Sequence, residues 1–369
     1  MDRRELLRAG VLAIGAPFLN RGRFSLHAGM PQEYSARTLD LVQRSTVVDM
    51  LGLVTLNFRK LRDWQRGKLD FRTDDIRRLK DSGVTILHPA VGYNRGDIFR
   101  ASYDDLSGWN AFVDAHPDVF LRIRSAADID RVKASGRIGI LLGQQNSGHF
   151  RTVDDVDAFY AMGQRVSQLS YYRNRLGYGC YDDADMGLTA YGCQVVQRMN
   201  RVGMAVDISH CGDRTTLEAL DASSSPVLIT HSNCRSLANH RRCKTDEAIR
   251  RMAAKGGVMG VTMVGTFVCS SRAATINDVV NHIDHIARIA GMEYVGLGSD
   301  VDLDGRDANS ANPKFDLEGI HCSRKIYDLV ETMVRRKYTD QHIQMVLGTN
   351  FQRALRKVTA SSISGPVQS

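Results

Sequence analysis

The sequence lacks cysteine pairs at metal-binding spacing. Its seven cysteines are scattered and odd in number, and no two of them form a C-x-x-C pair. This pattern gives no sign of a disulfide framework or of a structural zinc knuckle. A single bridge between Cys180 and Cys193 is compatible with the pattern if the protein is exported.

Basic blocks and long apolar runs are also missing. The 49 Lys and Arg residues exceed the 41 Asp and Glu residues by 8, but no basic block is interleaved with aromatic residues. We therefore expect no nucleic-acid partner. No segment supplies the roughly 20 apolar residues that cross a bilayer, so we expect no stable membrane insertion. The 43% hydrophobic and 24% charged residues are typical of a folded soluble protein.

The first 29 residues have the features of a targeting segment. Arg3 and Arg4 precede a short apolar run over residues 9–19. This arrangement resembles a twin-arginine export signal, and it predicts a periplasmic protein. An amphipathic extension on a cytoplasmic protein is the alternative.

The body of the chain alternates short β-branched runs with amphipathic helical patterns. This order is typical of a parallel sheet with crossover helices, and eight such runs predict an α/β fold with a single (β/α)8 barrel of the TIM type. We expect the barrel to span residues 40–358 and residues 359–369 to form a disordered tail. The eight predicted strands lie in residues 46–53, 84–91, 138–144, 166–171, 204–209, 226–230, 257–262 and 294–299.

Polar residues follow three of the predicted strands directly. His210 follows the fifth, His231 the sixth and Asp300 the eighth. The chemistry of such barrels lies at the carboxyl ends of the strands. Two imidazoles and one carboxylate at that end predict a catalytic metal with nitrogen and oxygen ligands and open positions for water.

Several segments resemble the membrane, or renal, dipeptidases, which are zinc enzymes of the amidohydrolase superfamily with a (β/α)8 fold. The resemblance covers roughly residues 40–355. It implies a barrel that hydrolyses a dipeptide or a related small amide, and it implies a homodimer. The segments that carry it are residues 169–180, 187–192, 199–210 and 298–300.

The resemblance also implies roles for individual residues. His210 and His231 match the two histidines that bind the second zinc of the family, and Asp300 matches the aspartate near the catalytic water. Arg242 falls where the family has an arginine for the substrate carboxylate, a task suited to a bidentate guanidinium. Tyr171 aligns with a histidine that contacts the substrate.

Other positions depart from the family pattern. The family motif Asp-x-His-x-Asp on the first strand would bind the first zinc, but this sequence has Leu51 and Leu53 at the two ligand positions. The bridging glutamate is replaced by a neutral amide, which we assign to Gln145. We therefore expect at most one zinc ion, held by His210 and His231 with the amide oxygen of Gln145.

Two functions remain open at this point. The first is a divergent dipeptidase-like metallohydrolase in which Asp300 is the general base, Arg242 binds a carboxylate and Tyr171 stabilises the oxyanion. The alternative is a metal-free, non-hydrolytic barrel that binds or isomerises a peptide-derived metabolite.

Overall fold

The computed structural model of the chain describes residues 34–303 and 317–360. The predicted leader at residues 1–29 lies outside the described residues. The helix Asn350–Ala360 includes the first two residues of the predicted tail, and the rest of that tail also lies outside. The described residues from Ala36 onward form one compact unit. Among the described residues, no helix is long and apolar enough to span a membrane.

The described strands form one parallel sheet. Their order across the sheet is β3–β4–β2–β1–β10–β9–β8–β7–β6–β5. Register is set by pairs such as Asp49 with Leu297 and Val206 with Val227. The strands are β1 (Val48–Asp49), β2 (Ile86–Leu87), β3 (Phe120–Arg122), β4 (Ile138–Ile140), β5 (Gly143–Gln144), β6 (Val166–Gln168), β7 (Ala205–Asp207), β8 (Val227–Ser232), β9 (Met259–Val261) and β10 (Val295–Leu297).

The sheet curls because β4 and β5 are successive parts of one extended stretch. Only Leu141 and Leu142 separate them, yet β4 pairs with β2 and β5 pairs with β6. A further bridge joins Val91 to Gln144. When β3 is set aside, nine of the ten described strands remain, and they make eight barrel strands because β4 and β5 count as one. This confirms the predicted α/β fold with its eight strands.

Helices connect the strands on the outside of the sheet. Thr189 and Thr245 cap two of them by accepting hydrogen bonds from main-chain N–H groups in the first turn. Gly83, Gly203 and Gly291 lie at or just beyond helix ends, with φ of 78°, 80° and 123°. The helices are Ala36–Arg44, Phe58–Gln65, Thr73–Asp81, Ile98–Ala115, Ala126–Ser135, Asp155–Ala161, Ala190–Val202, Asp213–Ala222, Asp246–Ala254, Gly265–Val268, Ile276–Ile289, Lys325–Arg335, Asp340–Gln344 and Asn350–Ala360.

Five of these helices and the strand β3 were not anticipated from the sequence pattern. The longest is Ile98–Ala115, whose buried face includes Ser102 and Asp105 beside Trp109. Polar residues on a buried face obscure the apolar periodicity by which a helix is recognised. The other helices are Ala36–Arg44, Phe58–Gln65, Ala126–Ser135 and Gly265–Val268.

Asp105 joins this helix to the barrel. Its Oδ2 accepts a hydrogen bond of 2.9 Å from Nε2 of Gln144, in β5. Burial raises the pKa of Asp105 to about 7, against the lowering effect of that hydrogen bond. The folded protein therefore binds a proton at Asp105 more tightly than the unfolded chain does.

We expect this carboxyl to make the protein less stable as the pH rises from 3.8, its ordinary pKa, to about 7. The Asp105→Asn variant should lack that loss. The measurement is the urea midpoint of both proteins between about pH 4 and about pH 8. His149 and His282, whose pKa values burial lowers to about 4, have the opposite effect on stability, but they are present in both proteins. Parallel curves for the two proteins would contradict the prediction.

Candidate functional site

The carboxyl ends of the parallel strands bring the predicted site residues to one end of the barrel. His210 lies three residues beyond β7, His231 lies within β8, and Asp300 lies three residues beyond β10. The exposed fraction of the two histidines is 5% and 0%. Both imidazoles are therefore buried side chains that face the interior of the site.

The two imidazoles face each other through their Nε2 atoms. Nε2 of His210 lies 3.1 Å from Nε2 of His231. Two nitrogen ligands of one tetrahedral ion, each about 2.0–2.1 Å from it, lie about 3.3 Å apart. Burial, followed by the charge of Arg242, lowers the pKa of both rings well below 6.5. Both rings are therefore neutral at neutral pH, which is the form that binds a metal.

A hydrogen-bonded relay orients His231. Thr230 Oγ1 donates its only hydrogen to Asp207 Oδ2 at 2.8 Å and lies 2.8 Å from His231 Nδ1. Thr230 must therefore accept the bond from His231, so Nδ1 carries the ring hydrogen and Nε2 carries the lone pair. Ser209 Oγ donates to the other Asp207 oxygen at 2.6 Å. The same Ser209 Oγ accepts a bond of 3.1 Å from the main-chain N of His231, which ties the two strands together.

Tyr171 and Gln145 lie on one side of the histidines. The Tyr171 ring stacks on His210 with centroids 3.9 Å apart and an angle of 22°. A Cβ atom at Gly92 would lie 2.9 Å from Tyr171 and 3.4 Å from Gln145, so these two side chains meet at Gly92. Gln145 Nε2 donates to Ala90 O at 2.9 Å, which leaves its Oε1 as the atom for a metal.

Arg242 lies behind the histidine pair and is 1% exposed. Its two terminal nitrogens donate to the carbonyl oxygens of Ser209 and His231, each at 2.6 Å. Its Nε is buried and has no hydrogen-bond partner among the described residues. The arginine therefore holds the main chain that carries both histidines. Its contact with a substrate carboxylate stays a prediction.

Asp300 lies at the turn that follows β10. Its φ of 55° is uncommon for a residue with a side chain, and its main-chain N donates to Leu51 O at 2.9 Å. Burial first, and then the Asp300 charge, raises the pKa of Tyr171 to about 12. Asp300 and Tyr171 therefore lie within electrostatic reach of each other.

The end of β1 does not fit a metal. Leu51 and Leu53 are buried, with exposed fractions of 1% and 6%, and neither side chain has a donor atom. Within residues 34–303 and 317–360, no group of three or more His, Cys, Asp or Glu side chains could hold an ion. The described residues fit one ion with His210 and His231 as two of its ligands, and they do not fit a second ion at β1.

Two residues of the site, Asp207 and Thr230, were assigned no role from the sequence. Thr230 directly precedes His231, and Asp207 ends β7 three residues before His210. The acidic residue at the end of a predicted strand was the signal that could have indicated a functional role. Their connection depends on the pairing of β7 with β8: Asp207 pairs with Leu228, and Thr230, two residues further along β8, donates to its carboxylate. The sequence alone does not give the register of these two strands, so it could not predict the hydrogen bond between Thr230 and Asp207.

The relay predicts that Thr230→Val weakens zinc binding. Loss of the hydroxyl leaves His231 Nδ1 without its acceptor, and such losses cost about 10- to 100-fold in metal affinity. Competition with a coloured chelator measures the affinity. Thr332→Val is the matched control, because the buried Thr332 hydroxyl bonds only to Asp328 O within its own helix. Equal affinities for the two variants would refute the role of Thr230.

Comparison with known proteins identifies the family of this chain. The family described as membrane dipeptidase, peptidase family M19, matches residues 35–366. An uncharacterized dipeptidase of Schizosaccharomyces pombe is 32% identical over 255 residues, which are 67% of this chain and 57% of that protein. Dipeptidase 3 of Rattus norvegicus is 28% identical over 272 residues, 71% of this chain and 53% of that protein. The matches thus span little more than half of either relative.

Solved structures share the barrel. An amidohydrolase from Pseudomonas aeruginosa has a TM-score of 0.76 and 29% identity, and the match covers 88% of this chain and 99% of that chain. A probable dipeptidase from the same organism has a TM-score of 0.76, with coverage of 88% and 98%; at 17% identity it shows the fold alone. The resemblance seen in the sequence is confirmed: this chain belongs to the membrane dipeptidase family, peptidase family M19.

Proposed function

We propose that this protein is a divergent dipeptidase-like hydrolase with at most one metal ion. Its substrate would be a small molecule that bears a carboxylate and an amide or peptide bond. One observation carries the proposal: two buried, neutral imidazoles face each other through Nε2 atoms 3.1 Å apart. That arrangement suits two ligands of one zinc ion, with Gln145 Oε1 as a third donor. A zinc ion bound there would act as a Lewis acid and lower the pKa of a nearby water.

The protein's own residues have separate tasks in this proposal. Asp300 accepts a proton from the attacking water, as a general base. Tyr171 keeps its proton at neutral pH because its pKa is raised to about 12, so its hydroxyl can donate a hydrogen bond to the developing oxyanion. Arg242 has five N–H groups, and its bonds to two carbonyl oxygens leave others for a substrate carboxylate.

A second function, a non-hydrolytic barrel, has its own support. Leu51 and Leu53 place buried apolar side chains at β1, and Arg242 is 1% exposed. Both features are compatible with a barrel that binds or isomerises a peptide-derived metabolite without a metal. A dipeptide that raises the melting temperature in the presence of a chelator, and is not cleaved, would favour this function.

Location and assembly are part of the proposal. The twin-arginine-like segment at residues 1–29 supports a periplasmic protein, with a cytoplasmic location as the alternative. Family resemblance supports a homodimer.

Metal content and hydrolysis test the proposed function together. We expect about one zinc ion per chain by elemental mass spectrometry, and loss of that ion in His210→Ala. Asp300→Asn should keep the ion and lose about 100-fold or more in the hydrolysis of a dipeptide panel, since a general base contributes at least that much. His342→Ala is the control, because His342 lies in the helix Asp340–Gln344, which carries none of the proposed site residues.

The opposite results are equally clear. Full hydrolytic activity in both His210→Ala and Asp300→Asn would refute the proposed function. If the protein binds no zinc, manganese or cobalt, the result would favour the non-hydrolytic barrel. Two ions per chain would show that other groups replace Leu51 and Leu53 as ligands.

A further inference from the structure

Three basic side chains are almost completely buried among the described residues. Arg242, Lys244 and Lys325 have exposed fractions of 1%, 2% and 1%. Each of them donates to a main-chain carbonyl oxygen within one position of a proposed functional residue. Arg242 holds the carbonyls of Ser209 and His231, as described above.

Lys244 holds the other side of His210. Its Nζ donates to Cys211 O at 2.7 Å and to Thr216 Oγ1 at 3.0 Å. The carbonyl before His210 is bonded to Arg242, and the carbonyl after it is bonded to Lys244. His210 O itself accepts a bond of 2.7 Å from the main-chain N of Cys180. Three successive carbonyls are therefore fixed around one imidazole.

Lys325 holds the main chain next to Asp300 in the same way. It begins the helix Lys325–Arg335, and its Nζ donates to the carbonyl oxygen of Val301. The same Nζ lies 3.6 Å from Asp49 Oδ2, and both groups are buried. Asp49 in turn accepts bonds from Ser299 N at 2.8 Å and Ser299 Oγ at 2.5 Å. The residues before and after Asp300 are thus tied to one ion pair.

These lysines are costly in a protein interior. A buried ammonium loses its hydration, and an apolar side chain of similar volume often stabilises a fold equally well or better. Lys244 donates to a carbonyl and a hydroxyl, which compensate a buried charge less completely than a carboxylate does. A role in fixing the main chain of the site would explain why the fold accepts the free-energy cost of burying them.

We propose that Lys244 and Lys325 are positioning residues, Lys244 for His210 and Lys325 for Asp300. Lys244 fixes the main chain from which His210 reaches toward His231. Lys325 fixes the left-handed turn that presents Asp300. The assignment rests on the proposed function, in which His210 binds the metal and Asp300 is the general base. Neither lysine is a catalytic residue.

The two roles predict different effects of the two substitutions on metal affinity and on kcat. Cobalt(II) binding by the full chain, followed by its visible absorption, should weaken about tenfold in Lys244→Met, with a changed spectrum. The same binding should stay within about twofold in Lys325→Met. Lys255→Met is the matched control, because Lys255 also donates to a carbonyl, that of Ser223 at 2.8 Å, outside the site.

Steady-state hydrolysis of the dipeptide panel supplies the second measurement. Lys325→Met should lower kcat about tenfold or more and leave KM within about twofold, since a misplaced base impairs the transition state rather than substrate binding. If both lysines only stabilise the fold, cobalt affinity and kcat will instead fall together, in step with the melting temperature. That parallel loss would overturn the proposal.

Crystal structures of the metal-free variants separate this proposal from the proposed function. If the unsubstituted protein hydrolyses nothing, the proposed function fails. The main-chain positions of residues 209–211 and 300–301 still show whether the two lysines are positioning residues. Displacement of the first segment in Lys244→Met, and of the second in Lys325→Met, supports the roles; an unmoved main chain overturns them. Where a lysine variant does not fold, Thr216→Val and Ser299→Ala weaken the same contacts more mildly and should give smaller shifts in the same direction.

Discussion

The carboxylate of Asp207 is the group on which the histidine pair depends. It accepts hydrogen bonds from Ser209 on one strand and from Thr230 on the next, so it joins β7 to β8 at the level of the site. Through Thr230 it also fixes the ring hydrogen of His231 on Nδ1. The free lone pair of His231 then faces His210, which is the arrangement that the proposed metal site requires.

The charges around the proposed metal site are unusual. The two imidazoles are neutral, the first strand offers Leu51 and Leu53, and the buried cations Arg242 and Lys244 lie next to the pair. An ion with neutral ligands is held less tightly, and it remains a stronger Lewis acid. The same cations favour an anionic substrate, which is consistent with a carboxylate-bearing molecule. In the proposed function, weak metal binding and a preference for anionic substrates would therefore have one electrostatic origin.

Much of the barrel could be predicted because its strands are buried on both faces and its helices have clear ends. The predicted strands followed by His210, His231 and Asp300 correspond to β7, β8 and β10. Gly203, with a positive φ, marks the end of the helix Ala190–Val202. The helix Ile98–Ala115 escaped prediction because its buried face is partly polar. β3 escaped because a short strand outside the barrel has no periodicity that separates it from a loop.

Sequence by itself determined the α/β barrel, the family, and the identities of the strand-end groups, since these depend on local pattern and residue type. Tertiary structure alone decided how those groups are held. Ser299 meets Asp49 across 250 positions of the chain, and Lys244 reaches the carbonyl of Cys211 across 33. Such contacts arise from strand pairing and helix packing, and a buried lysine carries no mark in the sequence that distinguishes it from an exposed one. The local sequence pattern therefore identifies the functional groups at the strand ends, and the packing of the fold sets their positions relative to one another.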